Sequence, residues 1–285
     1  MELCIGSQRR VRDYGYLACS LRETLILADS MTYQTLNLTI SEGIAELRFA
    51  RPDLLNRFDM DAHIEFVSAL ETVASQVPDV RVLILCAEGR AFSAGGDFDE
   101  MLDAHRSKAI RNDMIKYAKG VFYGVSELPI PVISAVQGAA IGLGATIATL
   151  SDIVVAWKGA KIADTHVNVG IVAGDGGIIS WSQSIGINRA KRCLLTGEVI
   201  TGEQAHAWGL VTDLVENPED ALPLARELAA RIVAMGPNGV NGTKRAFARI
   251  TGILAAQALG PGLEMEMESM ASGDLPVTLE KLRRK

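Results

Sequence analysis

The chain has 285 residues, 48% of them hydrophobic and 22% charged, enough to enclose a substantial core. Its formal net charge of −6 argues against a nucleic-acid partner, which would call for a basic face. An anionic ligand is still compatible, because a few placed Lys and Arg side chains suffice to hold one. The cysteines, Cys4, Cys19, Cys86 and Cys193, are scattered with no C-x-x-C pair. Neither a disulfide framework nor a metal site is expected, and reduced thiols fit a cytoplasmic protein. No apolar run reaches the roughly 18 residues of a membrane helix.

Residues 1–30 lack sustained periodicity, and Met31 stands just before the first clear strand. This stretch is expected to be an extension, disordered or not native, with Met31 as the natural start. Residues 35–40 and 44–50 predict a hairpin around Ser41-Glu42-Gly43. A helix is expected over 60–77, with Ile64, Val67, Leu70, Ala74 and Val77 on its apolar stripe. A dense apolar run predicts a buried strand over 80–87. Helices over 99–105 and 108–126, a strand over 131–136, a helix from Gly142 and a strand over 152–156 follow. That alternation predicts an α/β fold with a parallel sheet and right-handed crossovers. Beyond Gly176 the chain reads as helical over 183–197, 202–208, 218–235, 238–249 and 253–270. The expected organisation is a β/α core over 31–225 and a helical C-terminal segment over 226–285.

Two glycine-rich turns follow buried strands: Ala91-Phe92-Ser93-Ala94-Gly95-Gly96-Asp97-Phe98 and Gly138-Ala139-Ala140-Ile141-Gly142-Leu143-Gly144-Ala145. Each leads into a helix, whose first N–H groups are free and lie at the positive end of the dipole. Two such termini meeting at one point make an oxyanion hole, in which each donor is worth roughly 100- to 1000-fold in rate. A dinucleotide site is disfavoured, because Ile147 stands where the third glycine would be.

Arg51-Pro52 with Asn56, the 91–98 turn, the run from Pro131 to Gly138, Ser151-Asp152-Ile153 and the 170–177 loop occur in this order. With Leu195-Thr196-Gly197-Glu198 and Trp208-Gly209-Leu210-Val211, the series resembles the enoyl-CoA hydratase/isomerase family of the crotonase superfamily. The resemblance implies a β/α spiral of ββα units with a helical C-terminal segment. It implies the backbone N–H groups of Ala94 and Leu143 as oxyanion donors. Phe92, Ala94, Gly95, Gly96, Asp97 and Phe98 would lie beside coenzyme A. Lys244, Lys281, Arg283, Arg284 and Lys285 are candidates for its phosphates. Coenzyme A would arrive as part of an acyl-CoA substrate, with no tightly bound cofactor, no nucleic acid and no membrane. Relatives assemble as homotrimers or dimers of trimers, and the Met-rich helix over 253–270 suits such a contact.

The hydratases of that family use two glutamates, whose positions here hold Thr146 and His166. A hydroxyl is no base near neutral pH, whereas an imidazole is. His166 and Asp175 share one loop, and a His–carboxylate pair is a competent base. With His63 and Glu266 the set resembles oxocamphor hydrolase-like β-diketone hydrolases, although a further histidine of those enzymes falls near Gly144 and is missing. The intact Ala-Gly-Gly-Asp turn favours a CoA thioester. The expected function is enolate chemistry on an acyl-CoA or enoyl-CoA, as hydratase or isomerase. A C–C bond hydrolase and a CoA-binding scaffold without activity are the alternatives.

Overall fold

The computed structural model describes residues 33–284, and the expected extension over 1–30 lies outside them. Strands β1 (Leu36–Ser41) and β2 (Ile44–Phe49) pair antiparallel, with Ser41 opposite Ile44. The two residues between them, Glu42 and Gly43, have φ of 53° and 78°, the positive values that a two-residue hairpin with the right twist requires. Alternate residues of β2, Ala45, Leu47 and Phe49, are buried. Helix α1 (Met60–Ser75) begins where the Asp59 carboxylate accepts the Ala62 N–H, and it buries Ala62, Phe66, Ala69, Leu70 and Val73 on one face.

The chain then repeats a unit made of a long strand, a short strand and helix. The first contains β3 (Val82–Ala87), β4 (Ala91–Ser93), α2 (Phe98–Arg106) and α3 (Lys108–Ser126). The second contains β5 (Val132–Val136), β6 (Ala139–Ile141) and α4 (Leu143–Leu150). The third contains β7 (Ile153–Trp157), β8 (Lys161–Ala163), α5 (Gly177–Ile185) and α6 (Ile187–Thr196). Then come β9 (Ile200–Thr201), α7 (Gly202–Trp208), β10 (Asp213–Val215), α8 (Ala221–Val233), α9 (Pro237–Met270) and α10 (Asp274–Arg283).

The long strands, with the three-residue β10 at the edge, form a sheet of order β1-β2-β3-β5-β7-β10, parallel from β2 onward. The short ones form a second sheet, β4-β6-β8-β9, with only β9 antiparallel. Side chains alternate across a strand, so the main sheet serves two cores. Leu83, Leu85, Val132 and Val136 join the α1, α3 and α4 side. Val82, Ile84, Ile133 and Ala135 pack against Ala221, Ala225 and Ala229 of α8, whose small side chains at i, i+4 spacing let the helix approach closely.

The α/β class, the parallel sheet and the helical C-terminal segment agree with the sequence reading. The second sheet departs from it: strands of two or three residues carry too few side chains to show a period. Gly186, with φ of 77°, divides the helix expected over 183–197 into α5 and α6. Conversely, the helices expected over 238–249 and 253–270 are one helix, α9. An interior glycine such as Gly252 costs only about 1 kcal/mol, and burial of Ala255, Leu259, Leu263 and Met267 outweighs it. The boundary drawn at 225/226 falls inside α8, which belongs to the core, so the C-terminal arm begins with α9.

Lys244, expected at a ligand's phosphates, is instead buried on α9, with Nζ 2.8 Å from Asp152 Oδ1. The other Asp152 oxygen accepts the Val132 N–H at 2.8 Å, so this pair fastens the arm to the start of β5. Removing one member of a buried pair strands the other's charge. Asp152→Asn is expected to cost about 3–5 kcal/mol. Lys244→Met should cost less, because the Asp152 side chain retains 27% exposure against 4% for Lys244. Denaturant titration of both variants checks the order.

Candidate active site

The first glycine turn is held by the segment before α1. Asn56 donates its side-chain amide to the carbonyls of Glu88 and Ala91, each at 2.9 Å, and so pins the corner between β3 and β4. Leu55 accepts the Ala94 N–H at 2.9 Å, while Phe58 bridges Gly95 and Asp97 through backbone bonds of 2.8 and 2.9 Å. Asp97 caps α2 by accepting the N–H groups of Asp99 and Glu100, and Arg57 Nε lies 2.6 Å from its other oxygen.

The two turns touch. A Cβ placed on Gly95, which has φ of 84°, would stand 2.7 Å from the Ile141 carbonyl oxygen, so only glycine fits there. On the other side α4 approaches β4 so closely that a Cβ on Gly144 would lie 2.7 Å from the Ser93 Cβ. Between the turns is a recess of ≈30 Å³, bordered by Gly96, Leu143 and His166. That is room enough for a group the size of a water molecule.

The structure separates the two expected donors. Leu143 is the first residue of α4, where an N–H has no intrahelical acceptor. The Ala94 N–H is already given to Leu55, so it is unavailable to an oxyanion. Gly96, in the same turn, has an N–H that makes no bond among the described residues, and it borders the recess.

His166 begins a short 3-10 helix, His166–Val169, just after β8. Its Nδ1 lies 2.6 Å from Asp164 Oδ1 and its Nε2 3.4 Å from Asp175 Oδ2, all three residues being buried. A neutral imidazole has one N–H, and only the imidazolium can present hydrogen to carboxylates on both sides. Burial alone would pull His166 down, but the charges of Asp164, Asp175 and Glu266 and the Asp164 hydrogen bond hold it well above its ordinary value. Asp175 is raised by burial and by Asp164, against the opposing pull of His166. Its Oδ1 accepts the Thr146 hydroxyl at 3.0 Å and the Gly177 N–H at 3.3 Å. Thr146 thus joins the network as a donor to Asp175.

Glu266 reaches the cluster from α9. Gly174 and Gly262 make this possible, since a Cβ on Gly174 would lie 2.2 Å from the Gly262 carbonyl oxygen. Burial, together with the charges of Asp175 and Asp164, pushes Glu266 up to about 8 despite the attraction of His166. Ligand atoms of Asp164, His166 and Asp175 lie within 4.8 Å of one another. Each imidazole nitrogen faces its own carboxylate, however, so the grouping is a chain of ion pairs; a shared cation would require one nitrogen to turn away.

His63, Glu100, His166, Asp175 and Glu266 all line one cavity of ≈50 Å³, closed by Phe58, Met101, Met114, Ile171, Met267 and Met270. Gly96 and Leu143 line it too. Burial and repulsion from Asp59, Asp97 and Asp61 push Glu100 up to about 7, against a hydrogen bond from the Met60 backbone. Gly96 also borders an open cleft of ≈570 Å³ with Ala94, Phe98, Arg57 and Arg283.

Several side chains expected beside the ligand have other surroundings in the structure. The ring of Phe92 is buried in the core, its centroid 5.1 Å from that of Phe49. Lys281 is exposed and borders no part of the cleft, whereas Arg283, another of the phosphate candidates, borders it and is paired with Asp99. Asp97 serves as helix cap and as partner of Arg57. Arg284 pairs with Glu280, and Lys285 lies outside the described residues. The sequence reading assigned Asp164, Glu100, Arg57 and the Gly96 N–H no part in this site's chemistry. The Asp-x-His spacing of Asp164 and His166 was the one local signal, since it allows a carboxylate to bond the imidazole two residues on.

A family model described as enoyl-CoA hydratase/isomerase matches residues 39–269. A crotonyl-CoA hydratase of Syntrophomonas wolfei is 32% identical over 217 residues, covering 76% of this chain and 82% of that protein. A 1,2-epoxyphenylacetyl-CoA isomerase of Escherichia coli is 31% identical over 197 residues, covering 67% of this chain and 75% of that protein. The crystal structure of an enoyl-CoA hydratase/isomerase from Mycobacterium paratuberculosis superposes with a TM-score of 0.83 at 30% identity, covering 88% of this chain and 99% of that one. Matched over most of its length in sequence and in fold, the chain belongs to the enoyl-CoA hydratase/isomerase family.

Proposed function

We propose that the protein moves a double bond within an enoyl-CoA thioester, by way of an enolate stabilised between its two glycine turns. The observation that carries this reading is the meeting of the free N–H groups of Gly96 and Leu143 in a recess beside a doubly paired His166. The thioester oxygen would enter the recess, where the two N–H groups and the nearby imidazolium oppose the charge that develops on it. The acyl chain would occupy the ≈50 Å³ cavity, and pantetheine the open cleft. Arg57 and Arg283 at the cleft are placed to take phosphate oxygens in exchange for their aspartate partners. His166, holding a proton on each nitrogen, serves as the acid that returns a proton to carbon.

Isomerisation is preferred to hydration because the glutamate pair is replaced. Thr146 gives its hydroxyl to Asp175, which leaves no carboxylate at that position to orient a water. The largely apolar cavity wall also favours proton transfer over the entry of bulk water. A second reading, hydrolysis of a C–C bond in a β-diketone, draws support from His63, His166, Asp175 and Glu266 all bordering one cavity. Assays with 3-butenoyl-CoA, crotonyl-CoA and a cyclic β-diketone separate the readings. Turnover of the diketone alone would reverse the preference.

Leu143→Pro tests the recess without emptying the cavity. Proline is well tolerated at the first position of a helix and deletes the one N–H at issue. Turnover should fall roughly 100- to 1000-fold while the protein stays folded. Equal turnover in the variant would sink the oxyanion assignment.

Glu266→Gln tests the buried acid through pH. The ordinary carboxyl value is 4.5 and the folded one about 8, so the native state binds more protons between them. Stability should therefore decline as pH rises through that window. His166 adds a decline of the same sign at higher pH, because its raised value makes the native state hold a proton that the unfolded chain has already lost. The variant should lose the Glu266 part of the decline and exceed the wild type in thermal stability above about pH 8.

A further inference from the structure

A second histidine borders the cavity, and the chemistry so far leaves it without a task. His63 stands in the first turn of α1, with Nδ1 2.9 Å from the carbonyl oxygen of Asp59. A carbonyl oxygen only accepts, so Nδ1 carries the hydrogen, and in the neutral ring Nε2 keeps its lone pair. The support behind this bond is rigid. Arg51 grips the Asp59 carboxylate at 2.6 and 3.0 Å, and the Asp59 carboxylate also caps α1. The imidazole packs edge to face on Phe58, with centroids 5.4 Å apart. The cavity thus holds one imidazole whose neutral form leaves Nε2 to accept a proton and another, His166, whose nitrogens both face carboxylates.

Resting on the thioester reading above, we propose that His63 is the catalytic base, taking a proton from the carbon next to the thioester carbonyl. The C–H bond breaks; its proton goes to Nε2 and its electron pair into the enolate held by the Gly96 and Leu143 N–H groups. For a β,γ-unsaturated chain the π electrons then shift, and the γ-carbon takes a proton from His166 Nε2. His63 afterwards releases its proton to solvent, and His166 recovers one. No oxidant, metal or second substrate enters the balance.

The electrostatics agree with this division. Burial lowers His63 below its ordinary value, against the raising effects of its bond to the Asp59 carbonyl and the Asp59 charge. Asp59 and Asp61 flank it on its own side, Asp97 and Glu100 belong to α2 and its cap, and Glu266 comes from α9. His166 and Asp175 belong to the loop side. Two like groups held in opposite protonation states are the usual mark of an acid and a base sharing one site.

The test uses the full chain with two substrates. Isomerisation of 3-butenoyl-CoA reads the whole reaction, and deuterium uptake at the α-carbon of butyryl-CoA reads the base step alone. His63→Gln is expected to slow both by roughly 100- to 10,000-fold, with KM unchanged. The acidic limb of the wild-type kcat/KM profile should vanish in this variant. Added imidazole should restore exchange to His63→Ala, a rescue that a merely structural role would not show. Nitrogen NMR of the wild type should find Nε2 of His63 unprotonated at neutral pH. Wild-type exchange in His63→Gln, or a protonated Nε2 in the spectrum, would overturn the assignment while leaving the thioester reading intact. A wild type inactive on both substrates would overturn the two together.

Discussion

A cation enclosed in protein is stable only where its counter-charges cannot move away. His166 meets that condition through Asp164 on one nitrogen and Asp175 on the other. Each carboxylate is fixed in turn. Asp175 is held by the Thr146 hydroxyl and the Gly177 N–H, while Asp164 also accepts the backbone N–H of His166. A Cβ on Gly177 would lie 2.3 Å from Asp164 Oδ2, so the start of α5 has to be a bare backbone there. The cluster carries more carboxyl groups than cations, and Glu266 relieves the excess by keeping its proton. This explains Thr146: another ionised carboxylate beside Asp175 would add repulsion, whereas a hydroxyl donates.

The second constraint is the contact between the two glycine turns. The proposed donors there are backbone N–H groups, so the recess depends on how closely main chains approach and little on the side chains attached. A bulky Leu143 is compatible with such a role, because only its N–H would be used. The close approach is why the neighbours that set the spacing, Gly95 against Ile141 and Gly144 against Ser93, have no room for a Cβ. The ββα repeat brings the turns together, because β4 and β6 are adjacent parallel strands of the second sheet.

The main strands and most helices were legible because each carries several side chains with a clear period or cap. The run from Val82 to Ala87 is buried almost throughout, and the helix over 108–126 coincides with α3. The second sheet was not legible, since its strands make two or three residues' worth of pattern. At the site, His166, Asp175, Glu266 and His63 stand out in sequence as polar residues in telling places, and they do meet at one cavity. The choice between Ala94 and Gly96 was beyond sequence, because it turns on which N–H the Leu55 carbonyl takes. Lys244 misled for a similar reason. A lysine near a ligand and a lysine locked onto Asp152 look alike until the fold places the aspartate.

Helix α9 carries Lys244 in its first half and Glu266 near its end, so one rod joins the main sheet to the catalytic cavity. The order of synthesis gives this a temporal meaning. As the chain leaves the ribosome, Asp164, His166 and Asp175 emerge long before Glu266 does. Until then the cavity lacks the wall formed by Met267 and Met270, and its charged groups remain open to water. The nascent core can therefore fold without desolvating an imidazolium. In that order of emergence, burial of the charge waits for the C-terminal arm to close over the cavity.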